Sequence, residues 1–160
     1  MKCMKIRKAT PTDSHLLSTL CMDVQELHAK NHPDLFKKPQ SPDFAVSFFE
    51  KMLQEDTKYI YIAEENEQAL GYIFFRVMER DENPFLFSRL YLLIDQISVR
   101  PKAQGQGVGK ALMQQVEIMA RELEVPLIEL GSWDFNSSAH GFFEQVGYKK
   151  RYFEFWKAIG

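Results

Sequence analysis

Gly105, Gly107 and Gly109 alternate within Val99-Arg100-Pro101-Lys102-Ala103-Gln104-Gly105-Gln106-Gly107-Val108-Gly109-Lys110. Glycines so spaced clear every Cβ from one side of a turn, and backbone N–H groups can then converge on a bound oxyanion. The β-like run Leu90–Val99 precedes the turn, and a helical apolar stripe of Val108, Leu112, Val116 and Met119 follows it. A helix starting there adds unpaired N–H groups and the positive end of its dipole. Arg100, Lys102 and Lys110 bring further positive charge. The chemistry this suits is holding a diphosphate. Two phosphate loops are excluded by position. A P-loop requires Gly-x-x-x-x-Gly-Lys-Ser/Thr, but Ala111 follows Gly109-Lys110 and Gln104 stands five before Gly109. A dinucleotide fingerprint requires Gly-x-Gly-x-x-Gly, and its last position falls on Lys110 or Leu112.

The run Ile97-Ser98-Val99-Arg100-Pro101-Lys102-Ala103-Gln104-Gly105-Gln106-Gly107-Val108-Gly109 resembles the coenzyme motif of the GNAT superfamily of N-acetyltransferases without a mismatch. A second family element is similar to Asn136-Ser137-Ser138-Ala139-His140-Gly141-Phe142-Phe143-Glu144-Gln145-Val146-Gly147-Tyr148. The resemblance implies acetyl-CoA as co-substrate, and direct attack on it by a primary amine in a ternary complex. It implies that the backbone of Ile97 and Val99, with Ser98 between them, extends the sheet edge with the pantetheine arm. Amides of Gln104, Gly105, Gln106, Gly107, Val108, Gly109 and Lys110 would hold the pyrophosphate. Asn136 would bond the pantetheine side, and Ala139, Phe142 and Phe143 would line the thioester end. The family's frequent general acid, a tyrosine, is Phe143 here. A thiol leaving group is acidic enough to depart as thiolate, and Tyr148, Tyr152 and Ser138 are the other acid candidates. Two alternatives stay open: a non-catalytic acyl-CoA-binding or sensor protein of the same fold, and a nucleotide-binding domain of another family.

On the acceptor side, Asp95 lies two residues before Ile97, and strict alternation puts both on one sheet face. It is the candidate catalytic carboxylate, as base or as partner for a cationic amine; the plainer reading is a solvated or ion-paired aspartate. Glu129 and Asp134 carry the same two readings, and Asp134 better suits a turn. Glu26, His28 and Asp34 are the candidates for recognising an amine, because in GNAT proteins the region between the first two helices covers the acceptor. His28 and His32 as bases compete with the common role of helix-end histidines as caps. His140 is expected to be exposed. No histidine pair has zinc-ligand spacing, so no metal is expected.

The resemblance implies an α/β fold to position these residues: a GNAT-like mixed, mostly antiparallel central sheet flanked by helices, with two strands splayed to form the acetyl-CoA slot. The pattern predicts a strand over 3–9 and a helix capped by Thr10-Pro11-Thr12-Asp13 that runs to about His28. A second helix is predicted from Ser41-Pro42-Asp43, then strands over Tyr59–Glu64, Leu70–Met78 and Leu90–Val99. A helix over Val108–Leu123, a strand over Leu127–Leu130 and a short helix over Ser138–Gln145 ended by Gly147 follow. An aromatic strand, Tyr148–Trp156, closes the chain.

With 160 residues and no linker or repeat, 1–160 reads as one N-acetyltransferase domain. The formal charge of −2 offers no broad pull on nucleic acid or an anionic membrane. The acceptor is expected to be a small amine or a peptide N-terminus. Cys3 and Cys21 lack a CxxC partner and read as small core residues. A reducing cytoplasm suits them. Met1–Lys5 lacks the apolar run of about 7–15 residues of a secretion leader, and no stretch approaches the roughly 18 apolar residues of a membrane span. The aromatic C-terminal strand and family habit favour a homodimer.

Overall fold

The computed structural model describes residues 3–160; Met1 and Lys2, at the head of the segment read for a leader, lie outside the described residues. Elements follow in the order β1 Met4–Lys8, α1 Ser14–Leu20, α2 Met22–Asn31, α3 Val46–Met52, β2 Lys58–Glu65, β3 Gln68–Arg80, β4 Arg89–Val99, α4 Val108–Glu122, β5 Ile128–Leu130 and α5 Ser137–Gln145. The five strands form one sheet in sequence order. β1 to β4 pair antiparallel and β5 joins β4 parallel, the mixed sheet expected of strands followed by a helical crossover.

Alternation along β3 explains the two cores. Ile73 and Phe75 face one side with Leu92, Ile94 and the α4 stripe of Val108, Leu112 and Val116. Tyr72 and Phe74 face the other, with Leu17, Leu20 and Phe49 from α1 and α3. Arg7 ties the strand layer to the first turn. Its guanidinium donates to both oxygens of Asp13, at 2.8 and 2.9 Å, and its Nε donates to Glu64 at 2.9 Å. Among the described residues no helix is long and apolar enough to cross a membrane.

Three departures from the predicted elements have physical causes, and one cysteine differs from its expected burial. The first helix is broken. Pro11–Asp13 form a 3-10 turn, α1 stops at Leu20, and α2 restarts at Met22. At the break the Leu20 carbonyl accepts the Ser98 hydroxyl from β4 at 3.0 Å, a side chain competing with the helical ladder. The second helix starts at Val46 rather than near Ser41. There the buried Ser18 hydroxyl donates to Pro42 O (2.6 Å) and accepts from Ala45 N (3.0 Å), taking the groups a helix start would use. Tyr148–Trp156 is not a strand: residues 149–160 carry no regular structure, and Tyr152, Phe153, Phe155 and Trp156 are exposed. After Gly147 (φ +97°) the chain turns away, Tyr148 N bonding Phe143 O at 3.0 Å and Arg151 bonding Glu129 at 2.7 Å. Finally, Cys3 is exposed while Cys21 is buried.

Candidate coenzyme and acceptor site

β4 and β5 pair only from Leu92–Ile94 to Ile128–Leu130. Beyond that point β4 continues to Val99 along β3 alone, while β5 ends and the chain leaves through Gly131 toward α5. The strands therefore part, as a slot requires. Arg100 N donates to Leu70 O on β3 at 2.8 Å. By antiparallel alternation Ser98 also points its backbone groups at β3, and Ile97 and Val99 point theirs into the gap. Gln104 Nε2, 3.2 Å from Val99 O, reaches that side.

The loop that follows is built from backbone. Gly107 is left-handed, φ +84° and ψ 4°, at the N-cap of α4, a conformation in which any Cβ is strained. Among the described residues the amides of Gly105, Gln106, Gly107, Val108, Gly109 and Lys110 have no protein acceptor; the next amide, of Ala111, is the first to bond back, to Gly107 O. Lys102 and Lys110 are exposed beside them, whereas Arg100 is turned back, its Nε donating to Ala69 O at 2.8 Å. At Gly109 a Cβ would sit 3.1 Å from the Phe142 ring, so this glycine lets α5 close on the start of α4. Asn136 caps α5, its Oδ1 accepting from Ala139 N at 3.3 Å, which leaves its Nδ2 without a protein partner among the described residues. Ala139 and Phe142 are half-buried beside it.

Residues 21–148 match the sequence profile of the acetyltransferase (GNAT) family. The chain belongs to that family. It is an N-acetyltransferase by class. An uncharacterized N-acetyltransferase in the pepI 3' region of Lactobacillus delbrueckii subsp. lactis is 28% identical, over 71% of this chain and 70% of the relative. The F44R mutant of the BH1408 protein from Bacillus halodurans superposes with a TM-score of 0.87 at 23% identity, covering 97% of this chain and 99% of that one. The aminoglycoside acetyltransferase AAC(6')-Iy, in complex with the bisubstrate analog CoA-S-monomethyl-acetylneamine, gives 0.74 at 19%, covering 98% and 99%.

In this acetyltransferase Phe143 is separated from Ala139 and Phe142 by the surface it lines. It lines a concavity of about 960 Å³ with β5, Glu144 and Tyr148–Tyr152, whose walls include neither Ile97–Val99 nor the glycine loop. Tyr148 shares that space; its hydroxyl is buried without a partner and its pKa is pushed up by burial to about 12. Tyr152 and Ser138 are exposed.

Asp95 does not share a face with Ile97. A bulge between Phe74 and Phe75 leaves Asp95 as the additional residue of β4 and reverses the alternation at that point. Ile97 thus pairs with Ile73 on the α4 side, while Asp95 meets Arg76, Nε to Oδ2 3.0 Å, on the side of α1 and α3. Burial raises the Asp95 pKa, and Arg76 opposes the rise. Of the acceptor candidates, Glu26 and Asp34 are exposed, and Glu26, two residues before His28, projects from a different helix face.

His28 is half-buried in a cluster that the sequence pattern did not reveal. Its ring lies 4.8 Å from Phe36 and 5.7 Å from Phe135, and the His32 ring lies 4.9 Å from Trp133 and 5.7 Å from Phe135. His32 Nε2 also reaches Asp134, at 3.3 Å. The spacing of His28, His32 and Phe36 held the signal, but only the crossing of α2 toward the α5 loop gives it a partner. His140 is half-buried rather than exposed, its Nε2 bonding Trp133 O at 2.9 Å. Glu129 is ion-paired with Arg89 and Arg151.

Proposed function

We propose that this acetyltransferase transfers the acetyl group of acetyl-CoA to a primary amine by direct attack within a ternary complex. The observation that carries the reading is the convergence of unpartnered amides, residues 105–110, with the open edge of β4. Those amides and the α4 dipole bind the pyrophosphate, with Gln104 at the entry to the loop. Ile97 and Val99 take the pantetheine arm as an added strand, with Ser98 between them facing β3. Asn136 supplies its free Nδ2 to the same arm, and Ala139 and Phe142 pack against it.

Asp95 serves the acceptor. Arg76 at 3.0 Å favours charge recognition over proton abstraction, since a neighbouring cation weakens a carboxylate as a base. Positioning and a polarised thioester carbonyl do the rest, with thiolate departure needing no tyrosine acid at Phe143. His28 faces the acceptor; Glu26 and Asp34 add negative charge at the rim. The acceptor is a small amine or a peptide N-terminus, a reading supported by the bisubstrate analog held by a protein of similar fold. The reaction as proposed uses no metal. The domain spans 1–160, acts in the cytoplasm and works as a homodimer, for which the exposed aromatic tail and the free outer edge of β5 are the support.

The test is thiol release from acetyl-CoA across a panel of amines. Release above background with one acceptor class supports the proposal, and none with any acceptor opposes it.

A further inference from the structure

Helix α2 is tied near both of its ends to the walls of the gap. Just before it, Ser98 of β4 donates to the carbonyl of Leu20, the last residue of α1, at 3.0 Å. At its other end His28 and His32 pack on Trp133 and Phe135, which immediately precede the cap of α5 at Asn136. The helix therefore spans from the strand whose Ile97 and Val99 turn their backbone groups away from β3 to the helix that closes on the glycine loop.

His28 is the polar side chain on this helix whose chemistry is fixed. Its Nδ1 lies 2.6 Å from Val24 O. A carbonyl can only accept, so Nδ1 carries a hydrogen, and in the neutral ring the lone pair is on Nε2. Phe36 and Phe135 hold the ring from two directions, and among the described residues Nε2 has no protein partner. A backbone carbonyl behind one nitrogen and an open lone pair at the other is how proteins orient imidazole for work. The charged groups nearby come from three elements: Glu26, Lys30 and His32 on α2, Asp34 and Lys37 on the segment carrying Phe36, and Asp134 on the loop carrying Phe135. His32 and Asp134 engage each other at 3.3 Å.

We propose that His28 is the general base for the acceptor amine, an inference that rests on the acetyl-transfer reading above. The ammonium R–NH3+ gives a proton to Nε2, and the freed lone pair forms a C–N bond at the thioester carbonyl carbon. Collapse of the tetrahedral adduct breaks the C–S bond, with the electron pair leaving on sulfur. The surplus proton on the new amide nitrogen passes through solvent to the thiolate, and His28 returns its proton to water. The balance is R–NH3+ plus acetyl-CoA giving R–NH–COCH3, CoA–SH and H+. A thiol with a pKa of about 8.5 leaves without a tyrosine acid, so a base on α2 is compatible with phenylalanine at position 143.

The experiment is the pH profile of acetyl transfer to spermidine, neamine, a glycyl peptide and phenethylamine, for wild type, His28→Gln, His28→Ala and Asp95→Asn. Acetyl-CoA affinity is measured alongside as the check on folding. The expected result for both His28 variants is a loss of about 100-fold in kcat, disappearance of the acidic limb of kcat/KM, and unchanged acetyl-CoA affinity. Imidazole should restore part of the His28→Ala rate, and Asp95→Asn should keep the limb. A His28→Gln that retains the wild-type limb, or an Asp95→Asn that abolishes it, overturns the base. A wild type that acetylates none of the four amines instead overturns the acetyl-transfer reading, and the base with it.

Discussion

Ser98 Oγ donates to the carbonyl of Leu20 at 3.0 Å, joining β4, the strand proposed to take the coenzyme, to the break between α1 and α2. Both partners are buried. Through this bond the position of α2 depends on the strand that forms one wall of the gap. Ser98→Ala leaves the Leu20 carbonyl without its partner, which should cost about 1 kcal/mol of stability. Because α2 then loses an anchor, the acceptor KM should rise more than the acetyl-CoA KM. Equal changes in both constants would detach the helix from acceptor binding.

Gly107→Glu places a Cβ on a left-handed residue at about 1–2 kcal/mol and aims a carboxylate at the phosphate position. Acetyl-CoA affinity should fall by about tenfold or more, since each 1.4 kcal/mol is a factor of ten. Calorimetric titration of a folded variant provides the check, and unchanged affinity would remove the cradle from the coenzyme site.

Phe143→Tyr puts back the family's usual acid on a side chain that lines the separate concavity with Tyr148. The added hydroxyl should leave kcat within about threefold, well short of the roughly 100-fold that a working general acid supplies. A large gain in turnover would place Phe143 at the thioester after all.

Acid stability should report the Arg7–Asp13 pair. The hydrogen bonds from Arg7 hold the Asp13 carboxyl below its ordinary value, against the pull of desolvation and with help from Thr10 N–H. A depressed folded-state pKa contributes stability above the unfolded pKa of about 3.9, and that contribution is lost as pH falls through the folded value. Asp13→Asn should therefore cost about 1–3 kcal/mol at pH 7, with the gap to wild type narrowing below pH 4. Urea melts at pH 7 and pH 3 measure it; a gap that stays constant would contradict the assignment.

The local structure of the proposed donor half was legible because it is made of local signals: alternate glycines, the helical stripe from Val108, and the Asn136 cap. Each depends on residues a few positions apart. What escaped depends on distant partners. The break at Cys21 needs Ser98, and the late start of α3 needs Ser18. The reversal at Asp95 needs a bulge against Phe74 and Phe75, and period-two counting along β4 cannot show it. Tyr148–Trp156 has the composition of a strand, yet the turn at Gly147 and the bond from Arg151 to Glu129 lead it away from pairing along β5. Likewise the local sequence that made His28 a candidate for recognising an amine could not show Phe36 and Phe135 around its ring.

The central claim is that coenzyme A binds at the glycine loop and the open edge of β4. Titrating coenzyme A into the 15N-labelled protein and following the backbone amides tests it most directly. The signals of Gly105–Lys110, Ile97 and Val99 should shift together, and pantetheine, lacking the diphosphate, should leave the loop signals in place. Shifts gathered instead at Phe143, Glu144 and Tyr148, with the loop unmoved, would contradict it.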